Sequence, residues 1–289
     1  MTLHELHVAL ALYGRQRLEP ALPDASPRTD PHLAELERDF VERERAAVSP
    51  RAIGAPTDPD AFVRWFEGLR QTGPGQGDPL FPWLATHASL AQMKWFLAQE
   101  VAGEAGFDDL VALTQVKMPV QAKLELARNY WDEMGRGRRA GMHGPLLSDL
   151  ARSLGVRSDP TTTVWESLAL ANLLVALALD RRYAYHSVGA LGAIELTAPA
   201  RVAQVDAGLS RLGVPKAARR YFTLHATLDL KHSEAWDREV LRSLVGQEPR
   251  AAQAIAEGAL MRLQAGARCF ERYRKELGIE EETRVPAPA

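Results

Sequence analysis

Apolar residues recur at helical spacing along almost the whole chain, and this pattern limits the fold more than any other feature. Strand-like alternation and the Asn-Gly or Asp-Gly turns that join paired strands are almost absent. We therefore predict an all-α helical bundle. The predicted helices cover residues 2–17, 31–48, 89–105, 119–135, 143–154, an apolar stretch ending near 180, 183–196, 199–211, 215 to beyond 236, and 249–276.

Local signals mark some helix starts and a domain boundary. Ser89 is the predicted N-cap of the helix at 89–105, and Thr163 and Glu166 have capping-box spacing. The Pro- and Gly-rich segment Thr72–Asp78 predicts a boundary between an N-terminal helical extension, residues 1–75, and a main domain, residues 76–289. A chain of 289 residues can bury a core without disulfides, so a metal site would serve chemistry rather than folding.

Charge and apolar runs exclude several classes of partner. A net charge of -2 gives no basic stripe for a nucleic acid. The most apolar run, Leu168–Leu179, is too short to cross a bilayer. The chain begins without a signal-peptide pattern, and its single cysteine, Cys269, fits a reducing compartment. We expect a cytoplasmic protein with neither a nucleic-acid nor a membrane partner.

A late segment carries a candidate metal site. His225, Asp229 and His232 follow i, i+4, i+7 spacing, which places them on one stripe of a helix. Tyr221 and Trp236 share that stripe, so we expect it to face the interior. Two imidazoles and a carboxylate suit iron or another first-row divalent metal. A pair of hydrogen-bonded core histidines beside an ion-paired aspartate would give the same pattern.

Other acids also fall on apolar faces of predicted helices. Glu100, Glu133 and Glu195 each follow apolar residues at helical spacing, whereas Glu125 and Asp132 share a polar face and are predicted to be solvated. Four inward acids would balance two divalent cations, with neutral histidines completing the coordination. The candidate ligands are Glu100, Glu133, His143, Glu195, His225, Asp229 and His232.

A carboxylate-rich, two-metal centre in a helical bundle is one solution for dioxygen chemistry. The ferritin-like version needs paired Glu-x-x-His motifs, which this sequence lacks. The chain instead resembles the haem-oxygenase-like di-iron oxidases, or iron-containing redox enzymes. Their pattern is an early Glu, Glu-x9-His, another Glu, and His-x3-Asp-x2-His, and it matches all seven candidate ligands. The stretches 78–83 and 126–135 also look like the family's first two core helices.

The resemblance implies a seven-helix haem-oxygenase-like bundle with two ferrous ions and dioxygen as co-substrate. Known activities of the family are N-oxygenation of amines or amino acids, and desaturation, decarboxylation or carbon–carbon cleavage of aliphatic acids. By analogy Glu133 bridges the metals, and the helix carrying Glu195 is mobile, which we attribute to Gly189 and Gly192. The expected partners are a small-molecule substrate, an electron donor and a second copy in a homodimer. Tyr130, Glu166 and Asn172 are candidates for orienting the imidazoles.

Two other classes share such a helical scaffold. A haem-binding or cofactor-free relative would need one axial histidine or a placed nucleophile; inward acids oppose the former, and Cys269 comes too late for the latter. A non-catalytic protein that binds a small ligand would be expected to have lost metal ligands, whereas the set is complete. The sequence therefore favours an oxygen-activating enzyme.

Overall fold

The computed structural model describes residues 1–25, 29–103 and 106–279, without the side chains of residues 103 and 227–230. The described residues contain no β-strand, which confirms the all-α prediction. None of their helices is long and apolar enough to cross a membrane. The helices are α1 Leu3–Leu18, α2 Pro31–Ala52, α3 Pro59–Thr72, α4 Leu80–Thr86, α5 Leu90–Gly103, α6 Phe107–Thr114, α7 Val120–Glu133, α8 His143–Ser153, α9 Trp165–Leu179, α10 Ala184–Arg211, α11 Arg220–Ala235, a π-helical turn Trp236–Leu241, α12 Arg242–Gln247 and α13 Ala251–Leu277.

Most predicted helices are present, but α3, α4 and α6 were not predicted. All three are short, at 14, 7 and 8 residues, and the two shortest give little periodicity from which to recognise a helix. The late helix starts at Arg220 rather than Pro215. Ser89 caps α5 as predicted, since its hydroxyl accepts from the amide of Gln92 at 3.3 Å. The capping box before α9 is wrong, because the Thr163 hydroxyl donates to the carbonyl of Asp159 instead.

The segments predicted as separate helices on either side of Pro199 form one continuous helix, α10. Proline has no backbone N–H, so the carbonyl of Glu195 loses its helical hydrogen-bond donor at this point. The helix continues because much of its length, including Leu191 and Leu209, is buried against its neighbours. The prediction of a break at Pro199 is therefore wrong, although the helical ladder is weakened at the residue that carries a candidate ligand.

Helices α10 and α13 cross at a contact that only glycine permits. A Cβ atom on Gly189 would lie 1.9 Å from the carbonyl oxygen of Ile255, and one on Gly258 would lie 1.9 Å from that of His186. A Cβ on Gly192 would lie 2.6 Å from Nε1 of Trp236. Gly189 and Gly192 therefore allow close packing, and the mobility of the helix that carries Glu195 stays a prediction.

The first helices pack on this bundle through buried polar contacts. Helix α1 packs on α9, where the Asn172 amide donates to the carbonyl of His7 at 2.9 Å. Helix α2 packs on α13, where the Ser49 hydroxyl donates to Glu257 at 2.8 Å. Glu257 also contacts Nε2 of His186 at 2.9 Å. The boundary near residue 75 stays a prediction, and Asn172 holds α1 rather than an imidazole of the candidate site.

The α10–α13 contact predicts a large effect of one added methyl group. Gly189→Ala should lower the free energy of unfolding by about 2 kcal/mol or more, because the new Cβ forces two backbones apart. Gly68→Ala in α3 is the matched control: its Cβ meets nothing within 4 Å, so helix propensity should raise stability by about 1 kcal/mol. Urea unfolding of both variants measures the difference. Equal stability of the two variants would contradict the packing described.

Candidate metal centre

A tight loop between α7 and α8 brings Glu133 and His143 together. Glu133 is the last residue of α7 and His143 the first of α8. Between them, an isolated bridge pairs Met134 with Met142 and closes the loop. Gly135 has a positive φ of 61°, and a Cβ there would lie 2.4 Å from the backbone of Gly141. The Glu-x9-His spacing thus corresponds to a loop that returns the chain to the end of the preceding helix.

A close contact between two candidate ligands joins Nδ1 of His143 to a carboxylate oxygen of Glu133, at 2.6 Å. Both side chains are buried. The contact lacks hydrogen-bond geometry, and Nδ1 of His143 has no hydrogen-bond partner among the residues that the structure describes. Two lone-pair atoms at this separation repel each other unless a cation or a proton lies between them. The arrangement is the one that a shared metal ion would stabilise.

His225 of α11 completes a first group of possible ligands. Atoms of Glu133, His143 and His225 that can bind metal all lie within 4.8 Å of one another. The imidazole rings of His143 and His225 are 4.4 Å apart between centroids. Nδ1 of His225 contacts the carbonyl of Tyr221 at 2.7 Å, which is the contact of an N–H donor. This hydrogen bond leaves Nε2 with a lone pair for a metal and fixes the ring.

A second group shares Glu133 and adds Glu195 and His232, again within 4.8 Å. Nδ1 of His232 lies 3.6 Å from Glu195, and Nε2 of His232 lies 3.1 Å from a carboxylate oxygen of Asp132. The Asn129 amide donates to the other oxygen of Glu195 at 2.5 Å. Glu133 belongs to both groups, so the two groups share one carboxylate.

Two of the seven predicted ligands are not in these groups. Glu100 lines a cavity together with Glu133, Glu195 and His225. Its carboxylate accepts a hydrogen bond from Tyr273 and is attracted to Arg201 and Arg262. Its role as a ligand stays a prediction. Asp229 lies in α11, but its side chain is outside the described residues, so its role also stays a prediction.

The assignment of faces on α7 was wrong for Glu125 and Asp132. Glu125 is buried and receives a hydrogen bond from Arg128 at 2.5 Å. Asp132 is only partly exposed, and it contacts His232 where sequence reasoning expected solvent. Helix α7 packs against the π-helical turn as well as facing the site, so more than one of its faces is covered. One apolar stripe therefore could not identify every buried acid.

Asp108 is another acid that sequence reasoning missed. It lies in the first turn of α6, and its negative charge acts on both Glu133 and His143. An acid at the start of a helix is ordinarily explained by the helix dipole, which hid this residue from the sequence analysis. The structure therefore places a further carboxylate near the first group.

Burial raises the pKa of an acid in the site and lowers the pKa values of two histidines, because the interior disfavours charged groups that lack a counter-ion. Burial raises the pKa of Glu133 to about 8, with the charge of Glu195 adding to the effect and that of His225 opposing it. Burial also lowers the pKa of His143 to about 4, as does the charge of His232. The pKa of His225 is lowered by burial and by His143. The imidazoles of His143 and His225 are therefore neutral at pH 7, which is the form that binds metals.

These residues fit one or two first-row divalent metal ions. The donors are imidazole nitrogens and carboxylate oxygens, a set that suits iron and excludes the thiolate-rich sites of structural zinc. The Tyr221 carbonyl and the Asp132 carboxylate accept hydrogen bonds from the imidazoles of His225 and His232, and the Asn129 amide donates to Glu195, which holds these side chains in place. The unpaired Nδ1 of buried His143 is explained when a metal binds it.

A cavity of about 140 Å³ adjoins the candidate ligands. Glu133, Glu195 and His225 lie in its wall, and so does Tyr221, whose ring is 4.2 Å from that of His225. Much of the remaining wall is aliphatic or aromatic, with Leu170 and Phe222 as examples. The site can therefore hold a small organic molecule directly beside the metal ligands.

Comparison with known proteins assigns the chain to a family. The family model described as "iron-containing redox enzyme" matches residues 94–267, more than half of the chain. Two crystal structures of a CADD-like protein of unknown function from Nostoc punctiforme match with 17% identity and TM-scores of 0.50 and 0.52. The alignments cover 83% of this chain and 95% and 98% of those chains, and they show a shared fold. Among curated proteins, none matches the chain.

The raised pKa of Glu133 predicts that metal affinity depends on pH. Affinity for Co²⁺ or Mn²⁺ should rise up to about pH 8 and then level off, because the proton that burial keeps on Glu133 must leave before the carboxylate binds a cation. His143 is already neutral in this range and adds no dependence. Calorimetry in buffers of different ionisation enthalpy measures both the affinity and the proton released. A metal affinity that stays constant or decreases as the pH is raised towards 8 would contradict this account.

Proposed function

We propose, from the premise that the chain belongs to the family of iron-containing redox enzymes, that it is a non-haem di-iron oxidase. The enzyme uses dioxygen to oxidise a small organic molecule held in the cavity. One observation carries the proposal: two groups of imidazoles and carboxylates have one member in common, the buried carboxylate of Glu133. A shared carboxylate at the centre of two ligand sets is what a pair of metal ions requires.

The buried charges support two cations. Glu133 and Glu195 are fully enclosed acids, and Asp229 belongs to the same helical stripe as His225 and His232. Isolated carboxylates in a helical interior are strongly unfavourable unless they are paired or bind a metal. When bound, ferrous iron supplies electrons and open coordination positions for dioxygen.

The protein's own groups orient the ligands and exclude water. The carbonyl of Tyr221 fixes the ring of His225, and Asp132 fixes that of His232, so each imidazole presents its other nitrogen to the site. Asn129 restrains one oxygen of Glu195. Apolar side chains such as Leu174 and Ile194 close the cavity around the substrate, which limits side reactions with solvent.

Reduction of dioxygen to water takes four electrons, so the reaction needs an electron donor wherever the substrate gives only two. We therefore propose an external electron donor as a partner. The family resemblance also implies a second copy of the chain in a homodimer, which we propose separately. The reaction itself is proposed as an oxidation of an amine or of an aliphatic carbon, the chemistries that the family resemblance implies.

Anaerobic titration with ferrous iron tests the proposal. We expect two ions to bind per chain, and we expect exposure of the loaded protein to dioxygen to consume oxygen and oxidise iron faster than free ferrous iron reacts. Fewer than about one ion per chain, or oxygen uptake equal to that of free iron, would contradict it and favour a non-catalytic protein that binds a small ligand.

Variants of single ligands should separate the two metal sites. His143→Ala should lose the ion of the first group and His232→Ala that of the second, because each histidine belongs to one group. Glu133→Gln should weaken the binding of both ions by at least about tenfold, since the loss of a residue that only hydrogen-bonds to a metal ligand already has an effect of that size. His225→Ala and Asp229→Ala should each lose iron. Ferrous stoichiometry and affinity measure these changes.

Glu125→Gln is the matched control for Glu133→Gln. Both acids are buried in α7, but Glu125 pairs with Arg128 and belongs to neither ligand group. The control should keep both ions. If it lost iron to the same extent as Glu133→Gln, burial in α7 rather than ligation would explain the effect.

A further inference from the structure

Two arginines in the wall of the cavity are not explained by the metal ligands. Arg201 of α10 and Arg262 of α13 line the same cavity as Glu133, Glu195 and His225. A guanidinium in an apolar interior is unfavourable unless an anion pairs with it. The aromatic rings of Phe81 and Phe270 lie 5.9 and 5.4 Å from the Arg201 guanidinium and supply only part of that compensation.

The hydrogen bonds of these arginines are incomplete. Arg201 donates to the hydroxyl of Thr197 at 3.0 Å, a neutral acceptor. Nε and Nη1 of Arg262 are buried and have no hydrogen-bond partner. In the part of the chain that the structure describes, no carboxylate oxygen lies within 4 Å of either guanidinium.

Glu100 is the acid whose charge acts on both arginines. Its carboxylate already accepts a hydrogen bond from Tyr273. Two guanidinium groups and one carboxylate line this part of the cavity, so Glu100 can pair fully with only one of the two arginines. Burial and the neighbouring Arg262 lower the pKa of Arg201 to about 9, so the group is still charged at neutral pH.

We propose that Arg201 and Arg262 bind the carboxylate of a small, otherwise apolar substrate. The assignment rests on the proposed function, and it names the class of molecule that the oxidase site accepts. A monocarboxylate supplies the second anionic partner that two guanidinium groups beside one carboxylate call for, and its two oxygens match the fork of a guanidinium.

Size limits the rest of the substrate. A volume of about 140 Å³ is close to that of a buried cavity that holds benzene, about 150 Å³. Most of the remaining wall is apolar, so a chain of hydroxyl or amine groups would find few polar partners there. The apolar part includes Leu170, Leu174, Ile194, Val202, Val205 and Phe222. The substrate is therefore a compact aromatic or branched carboxylic acid rather than a long-chain fatty acid.

Arg201 also lines a second cavity beside the first. A second, wider cavity of about 510 Å³ shares Phe81 and Arg201 with the first, and its wall includes the exposed Arg70 and Gln204. An anion arriving through the outer cavity meets Arg201 before it reaches the metal ligands. The same guanidinium can thus attract the carboxylate and then hold it.

Binding of simple probes to metal-free protein tests the inference without any turnover. We expect benzoate to bind, benzamide to bind at least about tenfold more weakly, and benzylamine not to bind, because only benzoate pairs with the guanidinium groups. Calorimetry or ligand-observed NMR gives the affinities. Equal affinity for benzoate and benzamide would overturn the assignment, and so would tighter binding of benzylamine. Tighter binding of phenyl phosphate would also overturn it, in favour of a phosphorylated ligand.

Substitutions then locate the binding groups. Arg262→Met and Arg201→Met should each lower the affinity for benzoate by at least about tenfold, because a charge-assisted hydrogen bond is lost. The affinity for benzamide should not change. Arg242→Met, which removes an exposed arginine paired with Asp60, should change neither. Unchanged benzoate affinity in both cavity variants would refute their role. If a cavity variant fails to fold, the comparison of probes on the unaltered protein still decides.

The two proposals can fail separately. If benzoate does not bind while ferrous titration still gives two ions, the carboxylate inference is wrong and the oxidase remains. If benzoate binds through Arg201 and Arg262 while iron does not bind, the cavity is an acid-binding site in a protein that is not an oxidase.

Discussion

The placement of Glu133 and Glu195 inside a helical core is the constraint on which the rest of the structure depends. Burial raises the pKa of Glu133 to about 8, and neighbouring imidazoles stay neutral at pH 7, so the acids obtain no full counter-charge from the protein at the site. A divalent cation is the partner that balances such a cluster. Arg201 and Arg262 line another part of the same cavity, where guanidinium groups outnumber carboxylates.

Backbone geometry brings these groups together. The loop after α7 needs Gly135 in a left-handed conformation, and it returns the chain so that His143 contacts Glu133. Gly189 and Gly258 let α10 and α13 cross at backbone contact, which fixes the helices that carry Glu195 and Arg262. Pro199 withholds the helical hydrogen bond from the carbonyl of Glu195. The ligand helix is therefore tightly packed before Glu195 and weakened at it.

Much of the fold and part of the site could be predicted from the sequence. Long amphipathic helices gave clear periodicity, and five of the predicted ligands fall in the two groups: the spaced pairs Glu133 with His143 and His225 with His232, and Glu195 from the apolar face of its helix. Periodicity could not predict that α10 continues through Pro199, since burial on its neighbours outweighs the missing N–H. It also could not recognise Asp132, Asp108, Arg201 or Arg262, because a polar residue off the apolar stripe is usually solvated, and only tertiary packing covers it.

The most direct measurement of the central claim is anomalous diffraction at the iron edge from crystals loaded anaerobically with ferrous iron. The account predicts two iron peaks on either side of the Glu133 carboxylate, one next to His143 and His225 and the other next to Glu195 and His232. The absence of iron there, or iron bound only at sites that do not include Glu133, would contradict it.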